Sequence, residues 1–149
     1  LVIAGPGLDT DYGLGLKSLQ HQYPILEKKV HYSGMLQGDA KWGALYNAEL
    51  FVLPSHQENF GIAIVEAMAC KIPVLITNKV NIWREIENGK GGIICEDNLT
   101  SVLASLKQWV NLTITEKERM GSNAYETYYS NFTAEATSKK FVEVINMNV

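Results

Sequence analysis

Cysteine is scarce in this chain: Cys70 and Cys95 are the only two in 149 residues. Both sit in apolar strings, AMAC and GIIC. They read as buried reduced thiols rather than as a disulfide framework. There is no CxxC, no HExxH and no grouping of His and Cys at ligand spacing, so the common zinc signatures are excluded. No apolar run approaches the ~18 residues that a membrane span needs. Excess basic charge is lacking too: 13 Lys and Arg stand against 16 Asp and Glu, a formal charge of −3, which argues against nucleic acid as a partner. Repeats, low-complexity tracts and long Gly/Ser/Pro linkers are missing. There is also no initiating Met. Leu1-Val2-Ile3-Ala4 reads as a strand already under way, and the expectation is a fragment whose N-terminal part lies elsewhere.

What is present is 46% hydrophobic and 19% charged, the composition of a folded globular chain. The length fits one domain, 1–149. Three N-x-T triplets begin at Asn98, Asn111 and Asn131, and beside reduced cysteines they are expected to be unmodified.

Short apolar runs alternate with amphipathic stretches. Strands are predicted at 1–5, 29–34, 50–54, 73–77 and 91–95. Helices are predicted at about 11–22, 39–48, 60–70 and 82–87, and then over 99–110, 115–130 and 133–146. The strand segments are continuous apolar runs, as expected where both faces of a sheet are covered. Strand and helix in alternation imply βαβ crossovers, hence an α/β, Rossmann-like parallel sheet flanked by helices, with a helical C-terminal tail. In such sheets ligands lie beyond the carboxyl ends of the strands. Those ends carry Gly5-Pro6-Gly7, Gly34-Met35-Leu36, Pro54 to Gly61, and Thr77-Asn78. For any single glycine there, a tight turn is explanation enough.

The third tip, Pro54-Ser55-His56-Gln57-Glu58-Asn59-Phe60-Gly61, is the most informative. A helix opening near Phe60-Gly61 aims unpaired N–H groups and a positive dipole end at the strand tips, which makes an anion site. Glu66 is the only charge between Gly61 and Cys70. A carboxylate among apolar neighbours costs several kcal/mol, about the penalty of burial, unless donors meet it. A structural ion pair and a ligand hydroxyl satisfy that demand equally well.

The string P-S-x-x-E-N-F-G-I-x-x-x-E-A-M-A-C-x-x-P-V, with Glu58 and Glu66 spaced E-x7-E, resembles the signature of the retaining glycosyltransferase family 4, the group 1 glycosyltransferases. The similarity extends to the opening L-V-I-A-G-P-G, to V-H-Y-S-G-M-L with Lys41 following, and to E-R-M-G-S-N-A and the N-F-T tail. The resemblance implies the C-terminal, nucleotide-sugar-binding half of a two-domain GT-B enzyme. By it, Glu66 would accept hydrogen bonds from ribose hydroxyls, and Glu58 would contact the donor sugar as the catalytic-site carboxylate. Asn59, Phe60, Gly61 and Ile62 would offer backbone N–H groups to sugar and diphosphate. Leu36 and Lys41 match the region that meets the base, and Gly5 and Gly7 line the same cleft. The chain departs from the family at Lys71, where Gly is usual. The family's Arg and Lys that grip the diphosphate, and the acceptor-binding domain, fall upstream of residue 1.

Other motifs have simpler readings. Gly5-x-Gly7-x-x-Thr10 is an imperfect dinucleotide fingerprint, and no acidic residue ends the following strand. Asp9-Thr10-Asp11 is formally a DxD, yet capping and the macrodipole explain acidic residues that open a helix. His21, His31 and His56 are not spaced as ligands, and only His56 lies by the site. Trp83-Arg84-Glu85 reads as an amphipathic turn, and Tyr125, Tyr128 and Tyr129 as packing.

The expected function is retaining transfer from a nucleotide-activated sugar, UDP- or GDP-linked, to a saccharide or lipid-linked acceptor held by the other domain. The resemblance implies no metal cofactor. It implies a cytoplasmic protein, with room for peripheral contact at the inner face of a membrane. A GT-B-fold sugar-nucleotide epimerase and a non-catalytic interaction module remain as alternatives.

Overall fold

A computed structural model describes residues 1–147. The chain falls into two compact units, Leu1–Ala44 and the residues from Leu45 onward.

The first unit holds β1 (Val2–Ala4), α1 (Asp11–Gln22), α2 (Pro24–Glu27), β2 (His31–Gly34) and most of α3 (Gly38–Tyr46). β1 and β2 are parallel, Val2 opposite His31 and Ile3 opposite Tyr32, and Gly5 N extends the ladder to Gly34 O at 2.9 Å. Thr10 caps α1: its Oγ1 accepts from Gly13 N at 3.2 Å and donates to Gly7 O at 2.6 Å. Asp11 lies in the first turn, so the Asp9-Thr10-Asp11 triplet serves as a helix start, as expected. The single turn α2 was not anticipated. Pro24, at the first helical position, has its φ preset for a turn and loses no hydrogen bond there.

The second unit holds β3 (Phe51–Leu53), α4 (Ile62–Ala69), β4 (Val74–Thr77), α5 (Trp83–Asn88), β5 (Gly92–Cys95), α6 (Leu99–Asn111), α7 (Ile114–Asn131) and α8 (Ala134–Met147). The three strands lie in the order β3-β4-β5, all parallel, with Phe51 opposite Val74 and Val74 opposite Gly92. Every residue of the central strand β4 is buried. Val74 and Ile76 pack with Ile64, Ala67 and Met68 of α4, Ile86 of α5 and Ala124 of α7. Leu75 packs with Ile93, Cys95 and Trp109 of α6. Helices therefore cover both faces of this ladder, which is why its strands read as unbroken apolar runs. Full burial of a side chain such as Ile64, Met68 or Leu75 contributes about 1.5–3 kcal/mol, so this double-faced core fixes the strand tips.

Both cysteines are free, and burial is the main cause that pushes each thiol pKa above its ordinary value. Tyr128 packs against the core as read, whereas Tyr129 is exposed and stacks on Tyr125 at 6.4 Å; Trp83, at the start of α5, also packs against the core. No helix among the described residues is long and apolar enough to cross a membrane.

Candidate functional site

Behind β3, the loop 54–61 is stitched to the end of β4. Thr77 Oγ1 donates to Ser55 O at 2.5 Å and accepts from Lys79 N at 3.3 Å. Glu58 forms a parallel bridge with Val80: its N–H donates to Lys79 O at 3.1 Å, and its carbonyl accepts from Asn81 N at 3.0 Å. The backbone that carries Glu58 is thus held by a rung beyond the regular ladder.

From that rung the Glu58 side chain reaches the start of α4. Its Oε1 accepts from Gly61 N at 3.1 Å and from Phe60 N at 3.3 Å. The N-cap is Gly61, which has no side chain to cap with, so a carboxylate three residues upstream meets the unpaired donors and the positive end of the helix. Gly61 is required on two counts. Its φ is +75°, and a Cβ there would stand 2.5 Å from Ile64 Cδ1. The helix opens at Ile62, two residues later than predicted, because this left-handed residue interrupts the helical run.

Glu58, Asn59, Phe60, Gly61 and Ile62 thus gather at one end of the β3-β4-β5 ladder. Phe60 is 44% exposed and makes an edge contact with Phe132 at 5.9 Å; Ile62 is exposed at the head of the helix. Glu66 follows one turn on, half-buried between Val65 and Ala67, which are buried. Burial raises the Cys70 thiol pKa, a hydrogen bond with Tyr46 opposes that, and the Glu66 charge adds to it. The N–H groups of Phe60 and Gly61, expected to face sugar and diphosphate, are directed at Glu58 itself. Sequence reasoning treated carboxylate and donors as separate contacts. The structure makes them one hydrogen-bonded group.

The other candidates belong to the first unit. Gly5 and Gly7 follow β1 with φ of +147° and +99°. Leu36 follows β2 and is half-buried. Lys41 is half-buried in α3, with Nζ 4.7 Å from the centre of the Trp42 ring. Lys71 adopts φ +62°, the left-handed conformation for which the family's usual Gly is suited.

Sequence reasoning missed Asp97, which follows β5. Its Oδ1 lies 2.5 Å from Nδ1 of His56. Because β4 lies between β3 and β5, this contact spans the tip of the central strand. No sequence signal links two residues 41 positions apart. A cavity of about 400 Å³ lies elsewhere, among Ala48, Glu49, Ile72, Pro73, Trp109 and Lys117, by the residues that lead into β3 and β4.

The Glycosyl transferases group 1 family matches residues 1–127. The chain belongs to that family. It is 33% identical over 133 residues to a probable sucrose-phosphate synthase of Thermosipho melanesiensis, covering 84% of this chain and 30% of the relative. It is 32% identical over 112 residues to N-acetyl-alpha-D-glucosaminyl L-malate synthase of Bacillus anthracis, covering 74% of this chain and 28% of the relative. Among solved structures, it superposes on Anabaena HepE, crystallised with UDP and glucose, at a TM-score of 0.81 and 21% identity. That match covers 98% of this chain and 40% of HepE. This group 1 glycosyltransferase chain therefore spans about a third of the length of such relatives, and its α/β fold of parallel strands and helices is theirs.

Proposed function

We propose that the protein transfers a sugar from a nucleotide-activated donor, and that this chain holds the donor. The observation that carries the reading is the Glu58 carboxylate joined to the N–H groups of Phe60 and Gly61 immediately ahead of α4, at the strand ends where α/β sheets bind ligands. A donor diphosphate is the stronger partner for those N–H groups and the dipole behind them. Binding would exchange Glu58 Oε1 for a phosphate or sugar oxygen and release the carboxylate to take a sugar hydroxyl. Glu58 and the helix end then divide the work: one positions the sugar, the other stabilises the negative charge on the departing diphosphate. Glu66 takes the ribose hydroxyls, and Asn59 and Ile62 add backbone N–H groups.

In this reading transfer retains configuration, the donor is a UDP- or GDP-sugar, and the acceptor is a saccharide or a lipid-linked saccharide. The intact protein works in the cytoplasm, at the inner face of the membrane when the acceptor is lipid-linked. The helix end supplies the electrostatic stabilisation, so no metal is needed. Ligand-observed NMR on the intact protein with UDP-glucose, GDP-mannose and ADP-glucose, with and without EDTA, tests this. The expected result is binding of a UDP- or GDP-sugar that EDTA leaves unchanged. Binding of none of the three would overturn the reading, and loss on EDTA addition would overturn its metal independence.

A further inference from the structure

The geometry points to His56 as a sugar-reading residue of this site: held through Nδ1 by Asp97, it presents Nε2 to a hydroxyl of the transferred sugar. This inference rests on the donor-binding reading above. His56 lies two residues before Glu58 on the loop 54–61, and its side chain is 89% exposed, whereas that of Asp97 is 22% exposed. So exposed a pair contributes little to stability. What the contact fixes is orientation. Asp97 Oδ1 is an acceptor, so the 2.5 Å contact selects the tautomer with hydrogen on Nδ1, in which Nε2 carries the free lone pair.

Both ends of the pair are anchored. The carbonyl of Ser55, next to His56, accepts from Thr77 Oγ1. On the other side, Glu96 N donates to Ser101 Oγ at 2.9 Å and Asn98 Oδ1 accepts from Ser101 N at 2.9 Å, so both neighbours of Asp97 are tied to the first turn of α6. An imidazole set in this way carries a directional acceptor at the rim of the strand-tip site. A hydroxyl is the donor-sugar group that such an acceptor reads, whereas a diphosphate offers it no hydrogen.

The test compares affinities of the intact protein for a nucleotide sugar and for its parent nucleotide, using UDP-glucose with UDP and GDP-mannose with GDP. His56→Ala is expected to weaken the sugar nucleotide about fivefold to tenfold, the scale of one lost hydrogen bond, and to leave the bare nucleotide within twofold. Asp97→Ala is expected to give the same split. Asp97→Asn, whose amide oxygen still accepts from Nδ1–H, should restore most of the affinity. The double alanine variant should lose no more than either single one, since both remove one arrangement. Equal losses for sugar nucleotide and nucleotide would mark a structural role and overturn the inference, as would no loss in either variant. Wild-type protein that binds the nucleotide sugar while His56→Ala shows no split leaves the donor-binding reading standing and removes only this one. Wild-type protein that binds neither pair removes both.

Discussion

At the scale of single residues, the two glutamates of the E-x7-E spacing have different situations. Glu58 is fastened at backbone and side chain, to Lys79, Asn81, Phe60 and Gly61. Glu66 is half-buried in α4 beside residues that are fully inside. If Glu66 takes the ribose, its worth depends on the ribose hydroxyls being there. Removing a hydrogen bond to a charged group costs about 1.5–3 kcal/mol, or roughly tenfold to 150-fold in affinity. Glu66→Ala in the intact protein should weaken the ordinary nucleotide by that order, while the 2′,3′-dideoxy analogue binds nearly as before. Titration calorimetry on the four combinations gives the coupling directly. A structural Glu66 gives another pattern: equal losses for both ligands together with a lowered melting temperature. Lys71 is instructive beside it, because the left-handed backbone there costs a non-glycine residue about 1–2 kcal/mol. The ring of Tyr125, 5.4 Å from its Nζ, gives the side chain a cation–π contact that glycine could not make.

At the scale of elements, what the sequence disclosed depended on whether the cause was local. The starts of α1 and α6 were legible because Thr10 and Asn98 cap helices that begin at the next residue. α7 starts from a capping box: Thr113 Oγ1 accepts from Glu116 N, and Glu116 Oε2 accepts from Thr113 N at 2.8 Å and from its hydroxyl at 2.7 Å. Burial on both faces of the β3-β4-β5 ladder was legible in its apolar runs. Two features were not. Glu58 turning back onto Phe60 and Gly61 depends on the left-handed Gly61, and the His56–Asp97 contact depends on strand order. The capping box has a pH signature. The backbone and side-chain hydrogen bonds from Thr113 hold the Glu116 carboxyl below its ordinary value of 4.5. A depressed folded-state pKa means that the stabilisation is present above the unfolded value and is lost as pH falls through the folded one. Glu116→Gln should therefore lower the melting temperature modestly at pH 7, and the gap should close as pH falls below about 4.5. A gap that is constant from pH 7 to pH 3 in thermal scans would show that the charge of Glu116 plays no part.

At the scale of the whole molecule, the reach of this chain is set by how much of its relatives it spans: 30% of one synthase and 40% of HepE. The described residues offer groups suited to a donor, namely a helix N-terminus, two carboxylates and an oriented imidazole. Glycosyl transfer asks for more. An acceptor hydroxyl must be held against the anomeric carbon, and holding two reactants together is worth about 7–11 kcal/mol of barrier in well-oriented systems. A chain that binds the donor but not the acceptor forgoes that term. If the proposed division holds, the 149-residue chain on its own is expected to show no measurable transfer from UDP-glucose or GDP-mannose to a saccharide acceptor. Radiolabelled sugar transfer by the purified chain, with the intact protein as positive control, decides the matter. Turnover by the chain at even a hundredth of the intact rate would mean that these residues bind acceptor as well as donor, and that the division of labour argued from Glu58 and the α4 terminus is too narrow.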